Sequence, residues 1–272
     1  MIEKLTPELI ALIPTVRDEW TNKLQAGRKI DKAKCIEGIE WLYNYCNLAK
    51  PEIVFVSSPL AAQQYVNSLS PIGDDTHYGV PPNVSANVAI HEAITLRKDI
   101  KANYWNRVST QRIEEIRNNI RETPRNIVVD NVFYGVLSDT VEETVRNNVR
   151  NNVAATAHYY PSTYCNISDY GWMAYVSFFE QAGLGLKNEA FGKFRDLINT
   201  GLYDTIQLEG LCVVSEMPSI LERSPTGQLH STTGPAIAWS DGYEIYAQNG
   251  VIFDAEWPRD LISDVDNNAT AA

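Results

Sequence analysis

The sequence has no apolar run approaching the ~20 residues that a membrane-spanning helix needs. Its first residues, Met1-Ile2-Glu3-Lys4-Leu5, lack the basic-then-apolar pattern of an export signal. Both absences point to a cytoplasmic chain with no membrane partner. Cysteine is scarce: Cys35, Cys46, Cys165 and Cys212 are the four in 272 residues, and none forms a CxxC pair. Cys35 and Cys46 fall in one expected helix, where a rise of ~1.5 Å per residue sets them too far apart to bond. Four reduced, mostly buried thiols are expected. A Gly-rich phosphate loop and a GxSxG nucleophile turn are both missing. His91-Glu92 begins a zinc-protease pattern, but that pattern needs a second His at the position held by Thr95.

Positive charge is scarce toward the C-terminus. The formal net charge is −11, and residues 201–272 hold only Arg223 and Arg259 against eleven acidic side chains. Such a segment repels phosphates, so no nucleic-acid partner is expected. It attracts basic partners or cations, or it simply keeps the surface soluble. Mimicry of nucleic acid by these carboxylates would need a continuous stripe at phosphate-like spacing.

Apolar residues make up 44% of the chain and charged ones 21%, enough for a sizeable core in one large domain or two small ones. Thr6, Pro7 and Glu8 open a helix over 6–26, and Leu9, Ile10, Ile13, Val16, Trp20 and Leu24 recur at helical steps. Pro14 is expected to kink or split it. Asp31 caps a second helix reaching Cys46, Ile53 to Val56 reads as a strand, and a short helix follows to about Val66. Residues 69–84, with Pro71, Gly73, Gly79, Pro81 and Pro82, read as a long loop.

Between 108 and 157 apolar residues return every fourth position, and Ile116-Arg-Asn-Asn-Ile120 recurs as Val145-Arg-Asn-Asn-Val149. Four residues turn an α-helix by ~400°, so such a stripe drifts by about 40° per repeat. Two or three antiparallel helices are expected, broken near Pro124 and Gly135, with an irregular coil stack as the alternative. Helices over Ser168–Gln181 and Asn188–Thr200 follow.

After Leu211 the pattern changes to strands: 211–215, 219–223, 228–231, 236–240, 243–248 and 251–253. Asp241-Gly242 and Asn249-Gly250 are hairpin dipeptides. Read as two-residue turns, they place Trp239 opposite Glu244, Ile237 opposite Tyr246, and Tyr246 opposite Phe253. Both faces of this meander are then largely apolar, and something must cover each. Trp239, Tyr246 and Phe253 are the binding candidates on that surface.

Several meander motifs occur together: Cys212-Val213-Val214-Ser215-Glu216 with Pro218, Leu229-His230-Ser231, Gly234-Pro235-Ala236, Asp241-Gly242, Tyr246 and Gly250-Val251. With Leu5-Thr6-Pro7-Glu8, Pro51-Glu52-Ile53 and the four-residue repeats, they resemble a bacterial family common in cyanobacteria and actinobacteria. Met217 stands where members often have Arg, and Gln248-Asn249 where they often have Trp-His. The resemblance implies an intracellular bacterial or phage-borne protein and brings no chemistry with it.

Two constellations could carry chemistry. Asp74, Asp75 and His77 in the long loop have the donor types of a divalent-metal site, or of a solvated loop. Cys212, His230 and Asp241 supply the elements of a thiol–imidazole–carboxylate triad. Against this, Asp241 suits a turn, Cys212 suits a core strand, and His230 suits a strand end. Tyr159, Tyr160, Tyr164, Tyr170 and Trp172 either line a cleft or pack a helix corner.

The expected fold is α+β. A helical region over 1–200 packs on an acidic antiparallel meander over 201–272. The function expected is that of a non-enzymatic binding or assembly protein, with a protein partner or self-association and no cofactor. The alternative is an enzyme of unrecognised type with its site between helices and meander.

Overall fold

The computed structural model describes residues 2–69, 101–136, 139–153, 159–160, 162, 165–186 and 188–253. Local signals set the helix starts. In α1 (Pro7–Lys23) the Thr6 hydroxyl accepts the Leu9 N–H at 3.4 Å, and Pro14 lies inside the helix without ending it. In α2 (Lys32–Tyr45) Asp31 accepts from Lys34, and in α3 (Pro59–Ser68) Ser58 accepts from Ala61 at 3.0 Å.

The four-residue stripe forms a helix pair with alternating turn types. A π-helical stretch, Lys101–Ser109, runs into α4 (Thr110–Asn119). Next, α5 (Glu122–Val128) passes through a second π stretch, Val129–Phe133, into α6 (Tyr134–Val136). Tyr104, Val108, Arg112, Ile116, Ile120, Pro124, Val128, Val132 and Val136 are all buried, each four residues after the last. An α-turn overshoots a four-residue repeat, whereas a π-turn, closed from i to i+5, is wider and undershoots it. Mixing the two keeps one stripe facing the core. The phase then advances by one residue, and Val141, Val145 and Val149 are buried on α7 (Asp139–Asn152).

The break between the first two helices comes near Pro124, as expected, but a few residues before it. It falls at Ile120, which is extended, and Ile2 pins it by donating to the Asn119 carbonyl at 2.7 Å and accepting from Arg121 at 3.0 Å. Pro124 lies in the first turn of α5, where a missing N–H costs nothing. Gly135 lies within helix as well, and Arg17 of α1 crosses it.

The remaining helices are α8 (Asp169–Gln181) and α9 (Glu189–Ile198). Trp20 meets Tyr170 edge-on at 6.3 Å, and the Tyr170 hydroxyl donates to the Ile198 and Leu202 carbonyls.

The protein has the expected α+β architecture, but the strands divide into two sheets. The first has the order β1-β3-β2, from β1 (Glu52–Val56), β2 (Leu202–Leu208) and β3 (Leu211–Glu216). β1 runs parallel to β3, and β2 runs antiparallel to it. The strand at 211–216 thus pairs with an N-terminal strand and not with the meander. Cys212 and Val214 face the main core, while Val213 faces a smaller cluster with Ala62 and Val66 under α3. Cover on both faces explains the unbroken apolar run of β3.

The second sheet is the meander β4-β5-β6-β7, from β4 (Ile220–Leu221), β5 (Ile237–Ala238), β6 (Glu244–Gln248) and β7 (Val251–Phe253). Residues 228–231 form no strand; Leu229 makes an isolated bridge to Arg223. Asn249 and Gly250 both have positive φ, as a two-residue hairpin turn requires, and Tyr246 does oppose Phe253.

The β5–β6 register differs from the expected one by a residue: Ala238 opposes Glu244, and Ile237 opposes Ile245. The loop has three residues, not two. The Gly242 N–H donates to the Trp239 carbonyl at 3.1 Å, and Gly242 holds φ +86°. That is a turn followed by a left-handed glycine. The slip moves Trp239 to the core-facing side with Tyr243 and Ile245, away from Tyr246 and Phe253.

Candidate functional site

A groove of about 660 Å³ opens between the helical body and the meander, lined among others by Gln64, Asn148, Asn152, Asp241, Glu244, Tyr246, Ile252 and Phe253. The hairpin loop is fastened to α3 at its rim. Ser58, already capping that helix, donates its hydroxyl to Asp241 Oδ2 at 2.6 Å, and Asp241 Oδ1 accepts the Tyr243 N–H at 3.2 Å. The Tyr243 hydroxyl donates to Asn148 Oδ1 on α7 at 2.8 Å. Burial raises the Tyr243 phenol above its ordinary pKa, and the Asp241 charge adds to the effect. That phenol therefore serves as a fixed hydrogen-bond donor.

On the outer side the Tyr246 hydroxyl donates to Glu244 Oε2 at 2.8 Å, and the Tyr246 and Phe253 rings stand 6.3 Å apart. Beside them Val251 is 68% exposed and Ile252 39%. Of the three binding candidates, Tyr246 and Phe253 line the groove and Trp239 does not. Trp239 is buried, stacks on Tyr243 at 5.2 Å and donates its indole N–H to the Glu216 carbonyl.

The triad candidates are not brought together. Cys212 is fully buried in the central strand of the other sheet. His230 sits by the β6–β7 turn, where its Nδ1 accepts the Asn249 N–H at 3.2 Å. Asp241 lies in the loop at the opposite end of β6. Asp74, Asp75 and His77 lie outside the described residues, as do His91 and Tyr164. No group of three or more His, Cys, Asp or Glu suited to a metal occurs among the described residues.

No family model matches this chain, no curated protein does, and no solved structure does. Its function has to be argued from its own chemistry.

A second polar region was anticipated from the sequence only through Tyr159, the one described member of the aromatic group that lines it; Tyr160, Tyr170 and Trp172 are buried instead. A small, partly open cavity of about 30 Å³ is lined by Glu142, Arg146, Tyr159, Asn166, Tyr203 and Asp204, among others. Arg146 bonds Glu142 one turn earlier on α7. Burial pushes the Tyr159 phenol up to about 12, with Asp204 the next contributor. Tyr203 is buried and its hydroxyl has no hydrogen-bond partner among the described residues. The space admits a water, which would satisfy that hydroxyl. Nearby Asp169 is pushed up to about 7, first by desolvation and then by Glu142 and Asp204, against two backbone N–H bonds that lower it. Cavity-lining residues from α7 and β2 lie far apart in sequence, so no local motif marks them.

All four cysteines are buried and free. Desolvation pushes the Cys35 thiol up to about 12 and Cys46 up to about 11. Neither is an activated nucleophile. Among the described residues no helix is long and apolar enough to cross a membrane.

Proposed function

We propose that this chain is a non-enzymatic binding or assembly protein that takes a protein partner at the groove between its helical body and its C-terminal meander. The observation that carries the reading is the groove itself, which opens beside the exposed Val251 and Ile252 of the last described strand. Large apolar side chains exposed together beside a concave polar rim are the surface signature of an interaction site. A net charge of −11 argues for a protein rather than a nucleic-acid partner.

The alternative, an enzyme of unrecognised type, has one observation in its favour: the unsatisfied Tyr203 hydroxyl beside Glu142 and Asp204. A cavity of about 30 Å³ holds water rather than an organic substrate, so the binding reading is preferred.

Light scattering on the purified chain, together with capture of partners from host lysate, tests the proposal against Val251→Asp. The wild type is expected to self-associate or to retain a protein that the variant loses. A strictly monomeric wild type that retains nothing the variant fails to retain overturns it.

A further inference from the structure

Resting on that binding reading, we propose that the groove's occupant is an extended, basic peptide segment that adds as a strand to β7, with its Lys or Arg side chains reaching Glu244 and Asp241.

The edge geometry comes first. β7 is the terminal strand of the β4-β5-β6-β7 sheet, so its outer side carries no strand among the described residues. In a two-residue hairpin the pair next to the turn, Gln248 and Val251, exchanges both hydrogen bonds. The next pair, Ala247 and Ile252, then points its backbone groups away from each other. Ala247 confirms the alternation, because its carbonyl accepts from Ser231 on the far side at 2.9 Å. Ile252 therefore directs its N–H and C=O to the open edge. An incoming extended chain can use both.

Charge selects the occupant. Among the described residues lining the groove are Asp241 and Glu244, and no Lys or Arg. Both carboxylates are exposed, and each retains acceptor capacity beyond the bonds it makes within the chain. Asn152 and Gln64 add amide oxygens, whereas Asn148 Oδ1 is already taken by Tyr243 and Asn152. The Tyr246 and Phe253 rings flank the site as faces for a cation. The sequence beyond Phe253 carries Asp254, Glu256, Asp260, Asp264 and Asp266 against one Arg259. An acidic peptide would meet repulsion from Asp241 and Glu244, and a neutral one would leave these carboxylates unused.

The test is fluorescence anisotropy of the full chain with a labelled ten-residue peptide of alternating Arg and Val, beside versions with Gln or Glu in place of Arg. Ile252→Pro removes the outward N–H without touching the β6 ladder, and Glu244→Gln removes one charge. Circular dichroism melts check that both variants fold.

The Arg peptide is expected to bind the wild type, about three- to five-fold weaker to Glu244→Gln and not measurably to Ile252→Pro. Equal binding to Ile252→Pro overturns strand addition and means general attraction to an acidic surface. Equal binding of the Gln peptide overturns the charge selection. Self-association of the wild type that Ile252→Pro abolishes makes a second copy the occupant. Each of these results leaves the binding reading standing. That reading falls only if the partner and oligomer measurements fail too.

Discussion

Replacing Arg112 with Met is expected to stabilise the protein. Arg112 occupies one of the four-residue positions otherwise filled by apolar side chains, tyrosine or proline, and it is fully buried. Its Nη1 donates to Glu115 at 3.1 Å, and the guanidinium lies 5.5 Å from the Phe191 ring centre. Its Nε and Nη2 have no partner among the described residues. Each unsatisfied buried donor costs about 1–3 kcal/mol. Against that stand an ion pair to a carboxylate at the surface, about 0–1 kcal/mol, and a cation–π contact of about 0.5–2 kcal/mol. Methionine keeps most of the volume and removes the orphaned donors. A net gain of about 1–3 kcal/mol is expected, in line with buried ion pairs replaced by apolar side chains elsewhere. Arg112→Ala removes the same donors but opens a cavity, and should fall several kcal/mol below Met. Urea unfolding reads both variants: for Met the midpoint rises at unchanged slope. Equal destabilisation by Met and Ala, beyond about 2 kcal/mol, would refute the reasoning, because the guanidinium would then be earning its burial.

Asp169→Asn tests the raised carboxyl. A folded value near 7 against an ordinary 3.8 means the native state holds the extra proton, so this group's contribution to stability declines as pH rises from about 4 to about 7. The Asn variant should gain on the wild type by up to about 3 kcal/mol between pH 5 and pH 8, and parallel pH profiles would count against it. Two glycines should differ sharply on substitution by Ala. A Cβ at Gly171 would come 2.7 Å from the Phe133 carbonyl oxygen, costing about 1–3 kcal/mol, whereas at Gly135 it meets only the movable Arg17 side chain and is near neutral in a thermal melt. Finally, none of the four thiols should react with a disulfide reagent in the folded protein at pH 8, and all four should react in urea; fast labelling of Cys46 in the folded chain would contradict its burial.

Much of the helical part was legible because its signals are local. Thr6, Asp31, Ser58 and Asn188 each cap the helix they precede in sequence. The four-residue spacing was equally plain, but the π-turns that reconcile it with one buried face were not. Long-range pairing was hidden. Nothing within 211–216 announces that a strand from residues 52–56 lies parallel to it, and Leu202–Leu208 was not read as a strand. The Asp241-Gly242 dipeptide marked its hairpin correctly but left the loop length open. One extra residue was enough to turn Trp239 from surface to core. The groove was foreseeable as a place, between helices and meander, and Tyr246 and Phe253 as members. Its fastening by Ser58 and Asn148 joins residues 183 and 95 positions from their partners, beyond any local pattern.

The helices from Lys101 to Val136 have a modular length. Because wide and tight turns average out over four residues, inserting or deleting one such block returns every later side chain to the same heading. Two added residues would instead aim the valines outward and the asparagines into the interior. The segment can thus grow or shrink in steps of four, like a ratchet, while the flanking elements keep their facing.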